Sequence, residues 1–262
     1  MAFFIMTLHF SKYQGTGNDF VLIDNRNETF PKSEELIRHL CDRNFGIGSD
    51  GLILIENHQD FDYRMLFFNP DGSESLCGNG SRCGFQFARR LQIVDESATF
   101  ETTDGIHHAD LVDEEVRFNL FDIKTVDRMD EDYYVHTGSP HYVIFVDDIE
   151  KIDVQTQGRD IRYSEPFVGQ NGTNVNFAQL LHGAVKVRTY ERGVENETRS
   201  CGTGVTAVGL VAGALGVEAP ITVHTEGGTL EVDFEKSADG YKNIWLKGPA
   251  EHVYDGKIEI QF

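Results

Sequence analysis

Apolar residues in this chain fall into short runs that are rich in β-branched and aromatic side chains and are bounded by Gly, Asn, Asp and Ser. That patterning is strand chemistry. It predicts strands over Leu8–Tyr13, Phe20–Asp24, Leu52–Glu56, Tyr63–Phe68, Ala98–Thr102, Glu115–Asn119, Tyr142–Val146, Val185–Tyr190, Ile221–Thr225, Thr229–Phe234 and Asn243–Lys247. Three segments read as helices: Ser33–Arg43, Ser81–Leu91 and Val205–Leu215. Ser33 can cap the first of these, with Glu34 and Glu35 favouring its opening turn. The third carries no charge between Val205 and Val217, so it is expected to be buried on every side with only its N-terminal end accessible. Arg89 and Arg90 bring the second to the surface at its end. The pair His107-His108 reads as an exposed loop.

Four landmarks recur in the same order in both halves. Gly15–Ile23 answers to Thr137–Phe145, and Gly48–Ile53 answers more weakly to Gly172–Phe177. The strand and Glu-bearing loop at 63–76 answers to 185–200. Each series closes on a Cys-Gly-x-Gly box ahead of a helix, Cys77–Gly80 and Cys201–Gly204, which stand 124 residues apart. Offsets that stay between about 122 and 126 residues indicate an ancient duplication into two α+β lobes, with the join near Lys124–Asp132.

The chain has 262 residues, of which 40% are apolar, enough for a full core in one large domain or two modest ones. Its net charge of −20 argues against nucleic acid or an anionic membrane as a partner, because each requires a basic face. Four cysteines and an apolar start, Met1–Met6, that is too short for a signal peptide lead us to expect a cytoplasmic protein, initiating at Met1 or at Met6. No stretch approaches the roughly 18 apolar residues of a membrane helix.

The doubled cysteine boxes carry the chemistry. A thiol ahead of a helix N-terminus gains from the dipole and from the unpaired N–H groups of the first turn, which draw its pKa down from the reference near 8.5. The flanking glycines open the backbone to an anion such as a carboxylate. Two such ends supply a thiolate and a thiol for opposite sides of a small carboxylate-bearing molecule. Inverting a stereocentre requires that arrangement, since one base removes a proton from one face while an acid returns one to the other.

Other readings are weaker. Cys41 and Cys83 read as packing residues. Neither Cys-x-x-Cys nor His-x-x-x-His spacing appears, so a metal site is not expected. Gly202–Ala207 matches G-x-G-x-x-A, but the polar run Arg192–Ser200 stands where a dinucleotide motif needs a strand. Asn18, Asn69 and Asn174 end predicted strands and suit either turns or a ligand. Asn69-Pro70-Asp71-Gly72 is a good turn in its own right. Glu191 and Arg192 suit a surface ion pair or an ammonium and carboxylate clamp.

At these residues the chain resembles the diaminopimelate epimerase family. The carriers are Gly15–Phe20, Arg43–Gly51, Phe68–Glu74, Cys77–Cys83, Tyr190–Gly193 and Ser200–Gly204, and together they span essentially the whole chain. The resemblance implies two similar lobes, each a curved, mostly antiparallel sheet wrapped round a central helix. It places the lobes at 1–124, joined by a C-terminal strand over 252–262, and at 125–251. It implies a cofactor-independent isomerase interconverting LL- and meso-2,6-diaminopimelate, with Cys77 and Cys201 as the acid/base pair. Substrate contacts are implied at Asn18, Asn69, Asn174, Glu191 and Arg192, with the backbone of Gly78, Asn79, Gly202 and Thr203 cradling the reacting carboxylate. Ser139 and His141 stand as supporting residues, although Ser139 replaces the Asn that the family usually carries before Pro-His. The implied partner is a small amino acid, and a homodimer is compatible with the pattern. A racemase of proline-type substrates, or a non-catalytic binding or redox-sensing module, are the alternatives. The first would need a small apolar pocket, and the second would bind ligand without exchanging an α-proton.

Overall fold

The computed structural model describes residues 5–261, so the proposed start at Met1 lies outside the described residues. The chain divides into two units, one of Met1–Val116 with Pro249–Phe262 and one of Arg117–Gly248. The sequence-based joins stood at 124/125 and 251/252.

The first unit begins with β1 (Ile5–Gly15) and β2 (Asn18–Asp24), which form an antiparallel hairpin. α1 (Glu34–Cys41) then carries the chain to β3 (Gly51–Glu56), which lies parallel to β2. β4 (Tyr63–Phe68) returns antiparallel to β3. α2 (Gly78–Arg90) makes a second crossover to β5 (Ser97–Thr102), parallel to β4, and β6 (Gly105–Val112) follows antiparallel. β7 (Glu115–Leu120) comes next and leads into the second unit, within which the Arg117 guanidinium lies 4.2 Å over the Trp245 ring.

The second unit repeats the plan. β8 (Asp127–Met129), β9 (Asp132–His136) and β10 (Pro140–Phe145) form an antiparallel run. α3 (Val154–Arg162) crosses to β11 (Asn174–Leu181), parallel to β10, and β12 (Ala184–Glu191) returns antiparallel. The short β13 (Asn196–Thr198) precedes α4 (Gly202–Ala214). This second crossover leads to β14 (Ile221–Thr225), parallel to β12, and then to β15 (Gly228–Ser237) and β16 (Gly240–Gly248). β17 (Glu251–Gln261) belongs to the first unit again, where it pairs antiparallel with β1.

The register shows that the duplication is structural. Phe20 opposes Gly51 across β2 and β3, and His141 opposes Asn174 across β10 and β11, so the same strand ends meet in both units. The sheets are mostly antiparallel, but each helix joins a parallel pair, because a connection containing a helix brings the chain back in the same direction. In its own unit α2 packs on β1, β2, β3, β4 and β17, and α4 on β9 to β12 and β14 to β16, so each is a central helix lined by sheet. α4 is buried from Val205 through Ala212, as its uncharged sequence requires. α1 is amphipathic instead, and turns Leu36, Ile37, Leu40 and Cys41 onto β3.

Several elements differ from the sequence expectation. α2 and α4 each begin three residues earlier than predicted, because the cysteines themselves are the N-caps. α3 was not predicted, since it is polar and has Gly158 at its middle. A Cβ at Gly158 would stand 2.4 Å from that of Tyr190, so the glycine permits close packing on β12. His107 is not in an exposed loop. It is fully buried on β6, 3.0 Å from Asp104 Oδ1, while His108 points outward. Strand alternation buries every second residue, and here the buried one happens to be polar. Among the described residues no helix is long and apolar enough to cross a membrane.

Candidate active site

Cys77 ends an extended segment at φ −134° and ψ 109°, and the helix begins at the next residue. Its carbonyl accepts from Ser81 N at 2.7 Å, and its thiol accepts from Gly80 N at 3.3 Å, so sulfur takes the place that serine or aspartate oxygen usually fills at an N-cap. The same sulfur lies 3.9 Å from Asn18 Oδ1, which also receives Asn79 Nδ2 at 3.4 Å. Gly78 and Asn79 are buried behind it, and both are held by Arg82: Nη1 donates to Gly78 O at 3.3 Å and Nη2 to Asn79 Oδ1 at 3.0 Å.

Asn18 is held from its other side, where its amide donates to Asp50 Oδ2 at 2.7 Å. Arg43 bridges Asp50 and Asp19 with 2.6 Å contacts to both, and Lys12 pairs with Asp19 and reaches Gly48 O. Burial alone would raise the Asp19 carboxyl, but hydrogen bonds from Arg43 and Lys12 outweigh it and hold the group below the usual carboxylate range.

Cys201 occupies the equivalent place on α4, at φ −111° and ψ 108°, and its carbonyl accepts from Val205 N at 2.8 Å. Its thiol lies 3.5 Å from the Thr203 hydroxyl. That hydroxyl is 3.0 Å from His141 Nε2 and 3.3 Å from Ser139 Oγ, and Ser139 Oγ is itself 2.9 Å from His141 Nε2. Thr203 O accepts from the Thr137 hydroxyl at 2.9 Å, and Gly202 O from Thr206 at 3.0 Å. Burial pushes His141 down to about 3, against the opposing effect of its bond to Asn176. The ring is therefore neutral at pH 7. With the Asn176 amide facing Nδ1 at 3.2 Å, the proton belongs on Nε2, toward the two hydroxyls.

Asn174 ties the remaining residues together. Its amide donates to Pro140 O at 2.8 Å and to Ser139 Oγ at 3.3 Å, and its Oδ1 accepts from Arg192 N at 2.8 Å. Glu191 accepts from the Thr198 hydroxyl at 2.8 Å. Asn69, in contrast, turns its amide into its own loop, toward Ser73 O, Ser73 Oγ and Ser75 Oγ, each at 3.1 Å. In this structure it braces the turn that leads into Cys77.

A family model described as diaminopimelate epimerase matches residues 10–125 and 133–253. A diaminopimelate epimerase from Flavobacterium psychrophilum is 47% identical over 94% of this chain and 98% of its own length. The chain belongs to the diaminopimelate epimerase family. A second relative of that name, from Aquifex aeolicus, is 40% identical over 96% of this chain and 98% of its own. A phenazine biosynthesis protein of the PhzF family from Bacillus anthracis shares the fold, with a TM-score of 0.76 at 14% identity over 97% of this chain and 99% of that one.

Within this diaminopimelate epimerase family member, sequence reasoning named the cysteines and their immediate neighbours but assigned no role to Asp50, Arg43, Asn176, Thr189 or Arg82. Asp50 and Arg43 lie in the run Arg43–Gly51, where only the position opposite Asn174 in the repeat pointed to them. Asn176 joins β10, β11 and β12, donating to Tyr142 O at 3.0 Å and accepting from the Thr189 hydroxyl at 3.0 Å. A Cβ at Gly204 would meet Asn176 Oδ1 at 2.5 Å, so the second glycine of the box is what lets this network lie against α4. Cys41 and Cys83 are both buried, and burial pushes both thiols up.

Proposed function

We infer that the protein is an amino-acid isomerase that interconverts LL- and meso-2,6-diaminopimelate without a cofactor, a step of lysine and peptidoglycan-precursor synthesis. The observation that carries this reading is the pair of cysteines, Cys77 and Cys201, each at the N-cap of a glycine-opened helix in a chain of this family. One cysteine, as thiolate, removes the α-proton and becomes a thiol. The electron pair left on carbon delocalises into the adjacent carboxylate, where first-turn N–H groups of α2 and α4 stabilise the added charge. The other cysteine gives its proton to the opposite face and becomes the thiolate. No proton is gained or lost overall, and the enzyme finishes with the two roles exchanged.

Asn18, Asn69, Asn174, Glu191 and Arg192 are the residues proposed to hold the distal amino-acid end of the substrate. The four free cysteines support a reducing, cytoplasmic setting, which a thiol/thiolate pair requires. The test is turnover of LL-diaminopimelate in heavy water. Product should carry deuterium at the inverted α-carbon, and inversion without that wash-in would sink the two-base reading.

A further inference from the structure

Arg82 is fully buried, yet no carboxylate pairs with it among the described residues. Its Nη atoms serve Gly78 O and Asn79 Oδ1, and its Nε is buried with no hydrogen-bond partner. Isolating a cation in this way opposes folding unless it does something else. It stands one turn into α2 and grips the two residues that follow Cys77. At the equivalent position of α4, 124 residues on, the chain has Thr206, a neutral side chain that bonds back to Gly202 O at 3.0 Å. Backbone N-cap geometry and glycine content are alike at the two helix ends, but the Cys77 thiol accepts from Gly80 N whereas the Cys201 thiol makes no capping bond. The buried charge is a second difference, and the one a substitution can remove without touching either thiol.

We propose that Arg82 is a positioning residue that holds the Cys77–Asn79 turn and makes the two thiols electrostatically unequal, so that Cys77 is the thiolate in the resting enzyme and Cys201 the thiol. This rests on the epimerase reading for its purpose, though not for its test. The charged and titratable groups facing this end of α2 are Cys83 on the helix, Glu115 from β7, Glu251 from β17, and the Asp19–Asp50 pair beyond Asn18. Arg43 and Lys12 already pair with those last two carboxylates. The corresponding end of α4 faces the neutral His141, with His136 exposed and Arg192 half-buried farther out. Of the cations named here, the Arg82 guanidinium is the one most sealed from water, and so the least screened. Burial draws Arg82 down to about 10, which leaves it charged at neutral pH.

The test is the pH dependence of iodoacetamide alkylation of each cysteine, read peptide by peptide in the substrate-free full chain. In the unaltered protein Cys77 should be alkylated with a lower midpoint than Cys201. Arg82→Met should raise the Cys77 midpoint by about one pH unit or more and leave that of Cys201 in place. Arg82→Lys, which keeps the charge, should restore most of the difference. A Cys201 midpoint at or below that of Cys77 in the unaltered protein overturns the proposal without any variant having to fold. So does an Arg82→Met chain in which both midpoints stay where they were or move together. Epimerase turnover, assayed separately, would fail if the functional reading were wrong whatever the midpoints showed.

Discussion

His141 Nε2 lies 3.0 Å from the Thr203 hydroxyl, and that hydroxyl is the group next to the Cys201 thiol, at 3.5 Å. The neutral imidazole is thus placed to orient a hydroxyl rather than to take a proton from substrate. Replacing Thr203 with the isosteric Val removes the hydroxyl but keeps the backbone N–H of the first turn. We expect kcat to fall about tenfold, the worth of one hydrogen bond near 1.4 kcal/mol, with KM little changed. Steady-state kinetics in both directions check this, and an unchanged kcat would remove Thr203 from the site.

His141 also makes stability depend on acid. Its folded pKa is depressed to about 3 from a reference of 6.5. Above pH 6.5 both folded and unfolded states hold it neutral, and it contributes nothing to the pH dependence. Below 6.5 the unfolded chain takes up the proton first, so stability falls as pH drops toward 3, by up to about 1.4 kcal/mol per pH unit from this group. His141→Gln should lose less stability between pH 7 and pH 5 in urea denaturation. Equal losses would mean that the ring is solvated in the folded protein.

The Cys77 thiol caps α2, and serine separates that capping from the proton transfer proposed for it. Cys77→Ser keeps an N-cap acceptor for Gly80 N and should unfold at a temperature close to that of the unaltered chain. It should nevertheless lose about 10²- to 10⁴-fold in kcat, because a hydroxyl does not ionise in this range. Calorimetry beside an epimerisation assay distinguishes these effects; Cys201→Ser, where the thiol makes no capping bond, should show the same loss of kcat.

Gly204 has no room for a side chain. The Cβ of Gly204→Ala would stand 2.5 Å from Asn176 Oδ1 and 3.3 Å from His141 Cε1. Relieving that contact should cost about 1–3 kcal/mol of stability, measurable by chemical denaturation. Gly216, by contrast, has open space around the added Cβ but a positive φ of 98°, so its alanine variant reports backbone strain instead.

Asn174 secures Arg192 N and Ser139 at once. Asn174→Ala should loosen the loop after β12 and raise KM for diaminopimelate about tenfold while kcat falls less. A KM that does not move would show that the loop is held by its other contacts, such as Thr198 to Glu191.

Much of this protein was legible along the chain because the relevant physics is local. Ser33 capped α1 as its sequence required, β3 was read from an unbroken apolar run, and the lack of charge in Val205–Val217 announced a helix enclosed on all sides. The doubled Cys-Gly-x-Gly box, with landmarks repeated at nearly the same offset, likewise exposed the duplication and singled out the two sulfurs. What the chain could not display were roles created by packing between distant segments. Polar side chains on buried strand faces, such as His107 and Asn176, look like loop residues until their partners arrive from 3 to 35 positions away. The packing that Gly158 permits is invisible along the chain because Tyr190, the residue it makes room for, is remote in sequence. Arg82 drew no role from the sequence. Only the tertiary structure shows it sealed from water beside Cys77, because burial of a charge is a property of everything folded around it and not of the residue itself.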